Sequence, residues 1–129
     1  MTAQTAAPAR TTHRIVLALR ILMALAFVMA SATKFGRNPD AVHSFNVIGF
    51  GDWFIYAIAT LELAGAIGLL IGRLAGLAAL GLTALLVGAT LTQLLLFAPA
   101  TALVPVAYMV PVAIIAWARR ADVTRFLAR

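Results

Sequence analysis

Apolar residues run through the chain in four long blocks, broken by short polar or turn-forming stretches. An α-helix needs roughly 20 mainly apolar residues to cross a bilayer. The pattern predicts spans at about residues 15–33, 53–71, 74–97 and 102–118. Arg73 is the only charge between the second and third blocks, so a very tight turn joins them. Ala98-Pro99-Ala100-Thr101 separates the third from the fourth, and Pro99 suits a turn because it has no backbone N–H to donate. The expected fold is all-α, an integral membrane four-helix bundle over residues 14–118. Residues 1–13 read as a flexible N-terminal tail and 119–129 as a basic C-terminal tail, both cytoplasmic.

One connection has content of its own. Asn38-Pro39-Asp40 has the form of a helix start, with Asn38 as cap, Pro39 in the first position and Asp40 at the positive helix end. Ala41, Val42, Phe45 and Ile48 then fall near one face, and Gly49 and Gly51 end the segment. The prediction is a short amphipathic helix at the outer membrane surface, either a connector or a lid. Asp52 caps the second span, and Trp53 sits where an interfacial aromatic belongs.

Composition narrows the class. Hydrophobic residues make up 64% and charged residues 11%, with mean hydropathy +1.02. A soluble domain is nearer half apolar and a quarter charged. A soluble enzyme, a free nucleic-acid binder and a disordered regulator are thereby excluded. With no cysteine, the chain carries no disulfide or thiol chemistry of its own. The net charge of +6 is placed for topology rather than for nucleic acid. Arg10 and Arg14 precede the first span, Arg73 lies between the second and third, and Arg119, Arg120, Arg125 and Arg129 follow the fourth. By the positive-inside rule these regions face the cytoplasm, with both termini inside. Residues 10–32 partly resemble a cleavable signal peptide, but Arg20 interrupts the apolar stretch. Nine arginines to one lysine, with 28 alanines, suggest a GC-rich bacterial genome, and so a bacterial plasma (inner) membrane.

Candidate chemistry lies in the polar residues within the spans. Glu62 is about ten residues into the second span, roughly 14 Å deep. A carboxylate there needs a partner or a proton, and is either a functional site or a packing clasp. Depth arithmetic puts Arg20 about 7 Å lower, a height a long arginine could partly bridge, but snorkelling to the inner surface is the favoured reading of Arg20. Lys34 is placed farther away, reaching the interface. Arg20, Phe27, Ser31 and Lys34 share one face of the first helix. Thr83, Thr90 and Gln93 share a face of the third, with Gln93 level with Lys34. Tyr108 lies between Pro105 and Pro111, which should kink the fourth. A polar layer of Glu62, Thr83 and Tyr108, with Arg20 below and Lys34 and Gln93 above, is the candidate site. Glycines 65, 68, 72 and 76 permit close helix approach, within the hairpin or between subunits. No residues are spaced for metal or haem ligation.

With these motifs in place, the sequence resembles the DoxX-like family of small four-span membrane proteins. The matching features are Ala32-Thr33-Lys34-Phe35, Pro39 and Gly49, Glu62-Leu63-Ala64-Gly65-Ala66, and Gly72. They extend over about residues 14–118. The resemblance implies a plasma-membrane four-helix bundle. Some members are linked to quinone-coupled sulfur oxidation or to oxidative-defence complexes. Many carry a histidine late in the third span, where this chain has Thr90 and Gln93, so a redox or proton-relay role transfers less readily. The resulting expectation is an accessory subunit of a redox or stress-related membrane complex, not catalytic alone, with quinone or another small hydrophobic ligand bound near Glu62. Its partners are the lipid bilayer and other protein chains or further copies, not nucleic acid. The alternatives are a subunit that handles quinol directly and, on weaker resemblance, a small proton-coupled multidrug transporter using Glu62.

Overall fold

Six α-helices and two short 3-10 turns make up the computed structural model, which describes the backbone of residues 2–128 and the side chains of residues 10–128. Met1 and Arg129, the ends of the two expected tails, lie outside the described residues. The helices are α1 (Thr2–Phe35), α2 (Pro39–Ile48), α3 (Asp52–Leu70), α4 (Ala75–Leu96), α5 (Leu103–Ala118) and α6 (Arg120–Leu127). The 3-10 turns are Gly72–Leu74 and Pro99–Ala102. Four segments are long and apolar enough to cross a membrane: Arg10–Phe35, Asp52–Leu70, Gly72–Leu96 and Pro99–Ala118. No strand occurs among the described residues.

The spans form a closed ring in which α1 packs on α3, α3 on α4, α4 on α5 and α5 back on α1. Each helix contributes one stripe to the core. Met23, Ala24 and Phe27 come from α1, Ala66 and Leu69 from α3, Leu82 and Leu86 from α4, and Val112 and Ile115 from α5. Their outward faces are equally apolar: Met29, Leu95 and Leu103 are at least 70% exposed. Such a surface is stable only against hydrocarbon, so the bundle is built to be solvated by lipid.

Small residues set the α3–α4 spacing. A Cβ on Gly68 would sit 2.7 Å from that of Ala78, and one on Gly65 would strike Leu82. Gly65 and Gly68 therefore serve contact within the hairpin, Gly72 and Gly76 face Arg119, and Gly81 and Gly88 face open space. Pro111 lies inside α5 without ending it.

The predicted surface helix is α2. Asn38 accepts a hydrogen bond from the Asp40 amide, Pro39 opens the helix, and Gly49 closes it at φ 83° with its N–H on the Phe45 carbonyl. It rests against α3, α1 and α4, with Phe45 packed on Phe54 and none of its residues buried. Between α1 and α2 the chain turns through Arg37 at φ 53°, a left-handed position unusual for a side chain other than glycine. The amides of Arg37 and Asn38 return to the carbonyls of Lys34 and Thr33, closing the C-terminus of α1.

Beyond the fourth span the chain is helical through Leu127. Asp122 pairs with Arg119 and with Arg125, each three residues away, which holds the turns of α6 together. α6 packs on α4, α5 and the Gly72–Leu74 turn. Gly76 is the hinge of that contact, because a Cβ there would collide with the Arg119 carbonyl.

Two substitutions separate these roles. Gly76→Ala should destabilise the bundle by about 1–3 kcal/mol, because backbone must move to admit the methyl group. Gly81→Ala should be neutral or stabilising by up to about 1 kcal/mol, since it meets nothing and favours helix. Thermal unfolding in bicelles reads both, and equal effects would contradict this packing.

Candidate functional site

The α1–α3 interface is antiparallel, and two hydrogen bonds fix its register. The Ser31 hydroxyl donates to the Ala59 carbonyl at 2.8 Å, and Arg20 Nε donates to the Leu69 carbonyl at 2.7 Å. Both donors are buried, Ser31 at 1% and Arg20 at 6% exposed. In this register Lys34 and Glu62 lie on opposite sides of the Ser31–Ala59 level, about 9 Å apart along the axis. Helical side chains lean toward their own N-terminus. In antiparallel helices this tilts Lys34 and Glu62 toward each other. Lys34 Nζ and Glu62 Oε1 meet at 2.8 Å.

Glu62 is the chain's only glutamate and Lys34 its only lysine. The carboxylate is the more enclosed partner, its side chain 9% exposed against 17% for the lysine. The 2.8 Å contact is a direct ion pair, and no other described residue donates to Glu62 Oε1. Lys34 Nζ also lies 3.5 Å from the Ala30 carbonyl, a weak contact at best. The pair therefore sits near the α2 end of the bundle, with Lys34 the sole described partner of Glu62 Oε1.

This corrects the ranking from depth. Arg20, a candidate partner of Glu62 with snorkelling the favoured reading, sits level with Leu69, about 10 Å farther along α3. Its side chain leans the other way. Lys34, expected to reach only the interface, is the actual partner. The expected polar layer does not assemble either. Thr83 donates to the Ala79 carbonyl of its own helix, as Thr90 does to that of Leu86. Tyr108 is half-buried and meets Phe27 edge to face at 5.7 Å. Gln93 accepts from Thr101 at 2.7 Å at the exposed α4–α5 turn rather than pairing with Lys34. Only Glu62 and Lys34, of the six candidates, contact each other.

Sequence reasoning passed over a second cluster at the opposite end. Arg119 Nη2 donates to the Gly72 carbonyl at 2.6 Å, and Arg119 Nε lies 2.6 Å from Asp122 Oδ2. The Arg119, Asp122, Arg125 spacing was the available signal. Among the described residues no group of His, Cys, Asp or Glu is arranged to hold a metal ion.

A protein-family model described as the DoxX-like family matches residues 18–121. No curated protein and no solved structure matches the chain.

The ion pair should show strong coupling. Lys34→Met or Glu62→Gln alone leaves a buried group poorly partnered and should cost about 3 kcal/mol. The double variant should lose clearly less than the sum, in a double-mutant cycle read by unfolding in bicelles. Additive losses would contradict the contact.

Proposed function

The chain belongs to the DoxX-like family, and on that premise we propose that it is an accessory subunit of a membrane redox or stress-related complex, binding a small hydrophobic molecule with a polar head at Lys34–Glu62. The observation that carries this reading is the state of the pair. Lys34 and Glu62 are in contact at 2.8 Å, Lys34 is the sole described partner of Oε1, and the lysine stays partly accessible at 17% exposed. An intramembrane acid is by default a candidate site. A ligand carbonyl would accept from Lys34, and a ligand hydroxyl would donate to Glu62.

A quinone fits this donor set, since its carbonyls accept and the hydroxyls of its reduced form donate. It would supply the redox centre that the chain's own residues lack, with Lys34 and Glu62 holding its head. Direct quinol handling would use the same pair. The transporter reading fits less well, because carriers of that type place their membrane glutamate in the first span and Glu62 lies in the second.

The proposed setting is a bacterial plasma membrane with both termini inside. Arg10, Arg14, Arg73, Arg119, Arg120 and Arg125 flank the spans in the segments assigned to that side. Residues 1–13 and the α6 region then lie at the cytoplasmic surface.

Native mass spectrometry of the gently solubilised protein, with organic extraction of the same sample, tests the reading. The expected result is one quinone-class or other hydrophobic ligand per chain. That ligand should be depleted in Lys34→Arg, which keeps the charge but changes the shape of the donor. Ligand-free protein from native membranes, or unchanged ligand in Lys34→Arg, would contradict it.

A further inference from the structure

At the end of the bundle away from Lys34–Glu62, two arginines converge on a single turn. Arg20 Nε binds the carbonyl of Leu69, and Arg119 Nη2 binds that of Gly72 three residues on. Both cap carbonyls at the C-terminal end of α3, where cations are favoured. Their charges are not balanced. Asp122 contacts Arg119 at 2.6 Å and Arg125 at 3.2 Å, so one carboxylate serves two guanidiniums. Among the described residues Arg20 has no carboxylate partner, and its Nη1 and Nη2 donate to none of them yet are not sealed from the surface. Arg20 also experiences the like charge of Arg119 and the opposite charge of Asp122. Among the described residues, two guanidiniums thus share one carboxylate, and Arg20 beside them retains unused donors.

Guanidinium atoms held beside apolar surface with free donors attract an anion that can reach them. We propose that this cluster binds the phosphate of an anionic phospholipid headgroup. Arg20 and Arg119 would grip the phosphate from inside, and Arg125 would close over it from the surface. Guanidinium forks suit phosphate oxygens, and basic pockets between membrane helices are a recognised place for such headgroups. The surroundings favour lipid over a soluble anion. Trp117 is 70% exposed with Arg120 stacked 4.1 Å above its ring, and Phe126 and Leu127 of α6 are exposed beside them. These groups form an amphipathic rim that suits the boundary between acyl chains and headgroups. The site is separate from Lys34–Glu62 and does not depend on that reading.

The test uses the full chain in nanodiscs of equal parts phosphatidylcholine and phosphatidylglycerol, released into native mass spectrometry. Phosphatidylglycerol should be retained preferentially. Arg20→Gln and Arg125→Gln should each lower that retention about fivefold. Asp122→Asn should raise it, because it removes the competing carboxylate. If Arg20→Gln fails to fold, Arg125→Gln and Asp122→Asn carry the test, since both lie in α6 outside the spans. Equal retention of the two lipids by the wild-type chain, or no change in both α6 variants, would overturn the proposal. Displacement of the lipid by inorganic phosphate would overturn the lipid assignment and make the occupant a soluble anion.

Discussion

Every polar group inside the four spans has to find its partner within the bundle, because hydrocarbon offers none. That constraint organises the α1–α3 interface. Ser31 and Arg20 hydrogen-bond carbonyls of α3, which sets the register. The register then brings the single lysine within reach of the single glutamate. Neither member is tolerable alone in lipid, so each makes the other's position possible. The remaining contacts, with Phe27 on Tyr108 and glycine-mediated α3–α4 packing, fit around this frame.

The two ends of the bundle are chemically distinct. The end with α2 holds the Lys34–Glu62 ion pair and a group of tilted and edge-to-face aromatics, Phe45, Phe50, Trp53 and Phe54. The other end holds an excess of guanidiniums against one carboxylate, with α6 beneath it. A small protein with no metal-holding cluster among its described residues thus has two places where charge is concentrated against apolar surface. One suits a dipolar head and the other an anion.

Much of the fold was legible in the sequence. Span count came from hydropathy, and α2 came from the Asn38-Pro39-Asp40 start and the Gly49 stop, because those signals act locally. The face carrying Arg20, Phe27, Ser31 and Lys34 followed from helical spacing. The partner of Glu62 did not follow. Estimating depth from span ends assumes that both helices begin at the same level, and it ignores side-chain lean. Here α1 continues well beyond the expected first span at its N-terminal end, and antiparallel lean adds two side-chain lengths to the reach of Lys34 toward Glu62. Thr83 and Thr90 took the local option of bonding their own helices, which spacing alone does not distinguish from a shared layer. The α6 cluster was obscured because a run of arginines after a last span already satisfies topology.

The central claim is that Lys34 and Glu62 form a direct contact in the bilayer. Since each is the only residue of its kind, labelling lysine with nitrogen-15 at Nζ and glutamate with carbon-13 at Cδ isolates the pair. Solid-state rotational-echo NMR on the protein in lipid bilayers then reads their separation. The account predicts strong dephasing at a distance consistent with the 2.8 Å contact between Nζ and Oε1. Absence of dephasing, in a sample whose helices are intact, would contradict it and return Lys34 to the membrane surface.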